Sequence, residues 1–153
     1  LGQALGVALE PIAYKGTGPL MTDLVAGHVP AGCGGLTSFL QHHRSGQVRI
    51  LALSSPKRAS AAPDLPTIVE LGYPNLASDG FYAFYAPANT PTGVISAWYR
   101  ELKAVLEMPE IRPKLVSLGM EVQTGSPAEL LDFQRRSIVS FTASMKAAGF
   151  EPE

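Results

Sequence analysis

Only one cysteine, Cys33, occurs among the 153 residues. That excludes an intrachain disulfide and any zinc site built on paired thiolates, since both need a second sulfur. Long hydrophobic runs are also missing: glycine, proline or a charge interrupts every apolar stretch well short of the ~20 residues that a bilayer-crossing helix needs. Charge is scarce. Lys, Arg, Asp and Glu make up 16% of the chain and nearly cancel to a net −1. No basic stripe is left to gather a phosphate backbone, so nucleic acid is not expected as a partner. The opening residues, Leu1 to Glu10, lack the basic start and small-residue cleavage site of a secretory leader. If the parent protein is exported, its leader is expected outside this sequence.

What is present is a chain that is 46% apolar and carries 15 Gly and 13 Pro, the composition of a globular protein cut into short elements. Leu1 to Leu5 read as the tail of a helix broken by Gly6, followed by a short strand over 11–14. Lys15-Gly16-Thr17-Gly18-Pro19 is a glycine loop, and Pro19 suits the first turn of a helix carrying Leu20, Met21, Leu24 and Val25 and closed by Gly27. The unit then repeats. A weak strand over 29–33 leads into Gly34-Gly35, and Thr37 or Ser38 is placed to cap a helix running to about Arg44. The near-continuous apolar segment 48–54 predicts a strand covered on both faces. The Ser-, Ala- and Pro-rich stretch 55–66 predicts an exposed connection.

Beyond it, a short helix is expected over 67–71 and an aromatic strand over 80–86. Thr90-Pro91 opens a helix to about Glu107 with Ile95, Trp98, Leu102, Val105 and Leu106 on one face. Another helix starts near Pro109, and a strand is expected over 121–123. Ser126-Pro127-Ala128-Glu129 combines a capping box with a first-turn proline, opening a terminal helix ended by Gly149, with 150–153 as a tail. Alternating strands and helices make this an α/β chain, with too few strands for a complete doubly wound sheet, so the sequence reads as incomplete.

Six stretches in this order carry a family resemblance: Tyr14-Lys15-Gly16-Thr17-Gly18-Pro19, Thr22-Asp23-Leu24-Val25-Ala26-Gly27-His28-Val29, 45–54, Pro63-Asp64-Leu65-Pro66-Thr67, Phe84-Tyr85-Ala86-Pro87-Ala88-Asn89-Thr90-Pro91, and 147–153. Together they span nearly the whole chain, and the chain resembles the C-terminal half of the substrate-binding proteins of tripartite tricarboxylate transporters, the Bug receptors. The resemblance implies part of a type II periplasmic-binding-protein fold, with residues 1–77 belonging to the second, ligand-binding lobe and 78–153 to the C-terminal part of the first. It also implies a periplasmic receptor, with no cofactor, that captures a small carboxylate or amino-acid solute and presents it to a membrane permease.

The residues themselves offer a physical basis for anion capture. A helix start presents unpaired N–H donors and about half a positive charge, so two glycine loops that open helices suit a carboxylate without an arginine clamp. The candidate ligand-binding residues are Gly16, Thr17 and Gly18 in the first loop and Gly34, Gly35, Thr37 and Ser38 in the second. An ordinary tight turn is the alternative at each. The family usually carries a polar or acidic residue near Gly34, a departure that bears on the second loop. Phe81 either packs on the solute or lies in a buried crossover strand. Lys15 either steers an anion or is a solvated loop lysine.

An enzyme built on Cys33 with His28, His42 or His43 is not expected. Cys33 ends an apolar stretch where a buried, inert thiol is the ordinary outcome, and the histidines lack the spacing of a metal site. The competing reading is a self-associating remnant that binds no solute. Unpaired strand edges and apolar helix faces favour pairing or exchange of elements between protomers, hence a homo-oligomer.

Overall fold

Helices form where the sequence supplies punctuation. The computed structural model describes residues 2–147 and 149, and its helices are α1 (Gly2–Leu5), α2 (Thr17–Ala26), α3 (Leu36–Arg44), α4 (Thr92–Leu106), α5 (Arg112–Ser117) and α6 (Pro127–Ala147). A 3-10 turn spans Pro74–Leu76. The chain falls into two compact units, residues 1–85 with 109–122, and residues 86–108 with 123–153.

In the first unit, α2 begins after Gly16, whose φ of 101° is open only to glycine, and ends on a left-handed Gly27 whose N–H bonds back to the last turn. The α3 helix carries the core on two sides. Leu40, 1% exposed, packs with Leu53, Ala59, Ala62 and Leu65, with Leu36 and Ile50 against them. Phe39, one position earlier, packs with Leu20, Met21 and Val29. Each buried leucine contributes roughly 1.5–3 kcal/mol. The α5 helix joins this unit through its C-terminal end: Arg44 donates to the Ser117 and Ala61 carbonyls, and the Ser60 N–H donates to the Glu121 carboxylate at 2.7 Å.

The stretch 55–66 is exposed over half its length, as its composition implies, but packs at three positions. Ala59, Ala62 and Leu65 are buried because the turns at Ala62 and Leu65, whose N–H groups bond to Ala59 and Ala62 carbonyls, fold small side chains into the space beside Leu40. Arg58 holds the outer side, donating to both oxygens of Glu70 and to the Pro63 carbonyl. The 67–71 helix is instead a hydrogen-bonded turn, closed by reciprocal bonds between the Thr67 N–H and the Glu70 carboxylate and between the Glu70 N–H and the Thr67 hydroxyl.

Strand expectations fare differently from helix expectations. Among the described residues no β-strand forms. The single ladder element is an isolated parallel bridge between Leu53 and Thr67, made by the Leu53 N–H on the Pro66 carbonyl and the Ile68 N–H on the Leu53 carbonyl. The expected strands at 11–14, 29–33, 80–86 and 121–123 have no ladder, and 48–54 has this bridge alone. A strand exists only through its neighbour. Segment 48–54 is covered on one face, with Leu53 buried and Leu51 71% exposed.

In the second unit α4 runs from Thr92 with Pro91 at its cap, one residue later than the Thr90 cap expected. Its half-buried face holds Ile95, Tyr99, Leu102 and Leu106, whereas Trp98 and Val105 are exposed. The Tyr99 hydroxyl reaches the Thr124 carbonyl and the Thr124 hydroxyl reaches Glu107. The predicted capping box opens α6: the Ser126 N–H and hydroxyl donate to Glu129 at 2.7 and 2.8 Å, and the Glu129 N–H donates back to the Ser126 hydroxyl. The Gly149 N–H bonds to the Lys146 carbonyl. The expected tail at 150–153 lies outside the described residues.

Candidate functional site

The two glycine loops meet. Thr17, first residue of α2, and Ser38, in the first turn of α3, share a hydroxyl–hydroxyl bond of 3.1 Å. Neither helix has a side-chain cap; in the first turn of α3 the Ser38 N–H bonds to the Gly35 carbonyl at 3.0 Å, and in that of α2 Pro19 has no N–H to give. Thr37 and Ser38 are therefore not the caps that the sequence suggested. The helix starts two or three residues earlier, at Leu36 after Gly35, and the two hydroxyls reach sideways, Ser38 to Thr17 and Thr37 to Tyr82.

Gly34 and Gly35 sit between these partners. A Cβ on Gly34 would lie 2.8 Å from Phe39 Cε2 and 3.2 Å from Thr17 Cγ2. The volume that a side chain at this position would need is thus taken by the Phe39 ring. A Cβ on Gly35 would lie 3.4 Å from the Tyr82 hydroxyl. Gly16 and Gly18 border open space, with nothing within 4 Å of an added Cβ.

Phe81, the aromatic candidate from the sequence, is 41% exposed. The hydroxyl of its neighbour Tyr82 lies 3.3 Å from Thr37 Oγ1 in α3. The signal for Tyr82 was a phenol among the apolar aromatics of 80–86, the one of its two tyrosines that the chain brings to the second loop. Beside the Thr17–Ser38 pair an open groove of about 630 Å³ runs along α2 and α3, lined by Gly18, Met21, Thr22, Val25 and His42. Gly34, Gly35, Thr37 and Phe81 lie outside that lining.

A second polar cluster fixes the approach to the first loop. The Tyr14 hydroxyl donates to Asp23 Oδ2 at 2.8 Å, and His28 Nδ1 lies 3.2 Å from Asp23 Oδ1. The Tyr14 hydrogen bond, and after it the His28 ring, hold the Asp23 carboxyl below the usual carboxylate range. The same Asp23 bond holds the Tyr14 phenol above its ordinary value. This ties the residue just before the glycine loop to the middle of α2.

Cys33 is exposed and not buried as its apolar setting implied, because the 31–35 segment is irregular and only Val29 turns into the core. His42 Nδ1 bonds to Gln47, and His43 Nδ1 accepts the Ile50 N–H. No group of three or more His, Cys, Asp or Glu able to hold a metal ion occurs among the described residues.

Comparison with known proteins bears on what such a site is for. The family model described as tripartite tricarboxylate transporter family receptor matches residues 1–148. A UPF0065 protein of Bordetella bronchiseptica is 32% identical over 99% of this chain and 45% of its own length. Protein BugT of Bordetella pertussis is 30% identical over 94% of this chain and 44% of its own. Among solved structures, the periplasmic binding protein BugD matches with a TM-score of 0.89 at 34% identity, covering 99% of this chain and 52% of that one. Rpa4515 of R. palustris, solved with adipate, matches with a TM-score of 0.93 at 28% identity, covering 99% and 51%. The chain spans about half the length of the relatives it matches. Its fold is accordingly part of the α/β fold of periplasmic binding proteins. With the family model running almost end to end, this chain belongs to the tripartite tricarboxylate transporter receptor family.

Proposed function

We propose that this chain supplies one side of a solute-binding cleft, in a periplasmic receptor that captures a small carboxylate-bearing solute for a membrane permease, and that it binds without catalysing. The observation that carries this reading is the junction of two uncapped helix starts through the Thr17–Ser38 bond. It gathers main-chain donors and the positive ends of two helix dipoles in one place. The contact residues are Gly16, Thr17, Gly18, Gly34, Gly35, Thr37 and Ser38, with Phe81 beside them. The adipate in Rpa4515 supports a carboxylate as the solute class. An amino acid presents the same group.

Residues 1–77 and 78–153 are assigned to the second lobe and to the C-terminal part of the first. Exposed Trp98, Tyr85 and Val139 support association of the chain with a second copy, which light scattering reads directly. A stable monomer at micromolar concentration contradicts the oligomer. The functional reading is tested by saturation-transfer NMR against mono-, di- and tricarboxylates and amino acids. Transfer to at least one carboxylate is expected; none across the panel refutes the reading.

A further inference from the structure

Apart from the helix amides, the site holds two hydroxyl pairs, Thr17 with Ser38 at 3.1 Å and Thr37 with Tyr82 at 3.3 Å. Each hydroxyl owns one O–H donor, and a bond between two hydroxyls consumes one of the two available. Each pair therefore keeps one O–H to give. The two spare donors flank the first turn of α3, since Thr37 and Ser38 are successive residues. A carboxylate at neutral pH accepts only, through two oxygens, so its needs match what the pairs have left.

We infer that Tyr82 is a specificity-determining residue of this site, donating its phenol O–H to a carboxylate of the solute and favouring that group over a neutral isostere. The inference rests on the proposed solute-binding function. Tyr82 is 76% exposed, so most of its side chain is open to an arriving ligand, while its hydroxyl is positioned by Thr37 and lies against Gly35, where there is no side chain to intervene. The bond to Thr37 is long, and a charged acceptor competes well for such a donor. This protein already contains one phenol–carboxylate bond, Tyr14 to Asp23 at 2.8 Å, which holds the carboxyl in its charged form. Phe81, one residue earlier, has no donor. Arg44, the arginine of α3, is committed at the far end of that helix to the carbonyls of Ala61 and Ser117.

The experiment titrates the chain and its Tyr82→Phe variant with adipate and with the neutral diamide adipamide, following backbone amide shifts by NMR. Loss of a donor to a charged acceptor is expected to weaken adipate binding about tenfold or more. Adipamide binding is expected to weaken by less, so the adipate-over-adipamide preference falls, which a purely structural role for the ring does not produce. Equal adipate affinity in the two proteins, or an equal loss for both probes, overturns the inference. Absence of saturable adipate binding by the unaltered chain overturns the functional reading instead, and this inference with it. Should Tyr82→Phe lose its helical circular dichroism, Tyr82→Leu removes the same phenol donor at this exposed position. A reduced preference is again expected, and an unchanged one is contradictory.

Discussion

Replacing Gly34 by alanine perturbs the point where core and site share an atom-scale fit. The new Cβ lies 2.8 Å from Phe39 Cε2 and 3.2 Å from Thr17 Cγ2, the first of which real contacts do not tolerate. Phe39 cannot swing away cheaply, being 8% exposed and packed with Leu20, Met21 and Val29. Overpacking of this kind costs about 1–3 kcal/mol. In a chain of this size each kcal/mol lowers the melting temperature by roughly 2–4 °C. Thermal and urea unfolding of Gly34→Ala are expected to show that loss, and displacement of Thr17 disturbs its bond to Ser38. The mechanism is isolated by a double-mutant cycle with Phe39→Leu, which removes Cε2. In that background the alanine costs less, with a coupling of roughly 0.5–3 kcal/mol. Strict additivity, or no destabilisation by Gly34→Ala alone, refutes the claim that Phe39 fills the space of a side chain at 34.

Further predictions concern the core, the termini of helices, pH and the thiol. Leu40→Ala, at 1% exposure in the cluster with Leu53 and Leu65, is expected to cost about 2–5 kcal/mol in urea unfolding. Ser126→Ala removes the hydroxyl that receives the Glu129 N–H and should cost about 1 kcal/mol, seen as reduced helicity and a lower midpoint. The carboxyls of Asp23, Glu70 and Glu129 are all held below their ordinary values: Asp23 by Tyr14, Glu70 by Arg58 and Glu129 by the Ser126 N–H. Their stabilisation is complete above the unfolded carboxylate pKa and is lost as pH falls through the lowered folded values. Urea midpoints should therefore fall on acidification, and less steeply in Asp23→Asn, whose slope would match the parent's if the Tyr14 bond contributed nothing. Cys33, being exposed, should react with a thiol reagent in the native protein as fast as in urea. Protection in the native state contradicts its placement.

Helices were legible because their ends are chemical. Gly16, Gly27, Pro91 and the Ser126–Glu129 box each act within one turn, so local sequence suffices to place α2, α4 and α6. Strands were not, because an extended apolar segment such as 48–54 is defined by its neighbour, and here only Pro66 to Ile68 supplies one, at Leu53. The burial of Ala59 and Ala62 was hidden by a composition that reads as a linker; small side chains fit beside Leu40 only after the chain turns back. At the site, both glycine loops were readable, whereas their junction through Thr17 and Ser38 spans 21 positions and follows from packing. Phe81 was named from its place where the chain of the family re-enters the first lobe, whereas the Tyr82–Thr37 bond spans 45 positions and follows from packing.

We propose that a carboxylate solute is held where α2 and α3 begin. An amide-resolved NMR titration of the chain with adipate tests it most directly. Saturable shifts concentrated at the N–H groups of residues 16–18 and 34–38 are expected. Saturable shifts centred elsewhere, or no shifts in these amides at saturating adipate, contradict it.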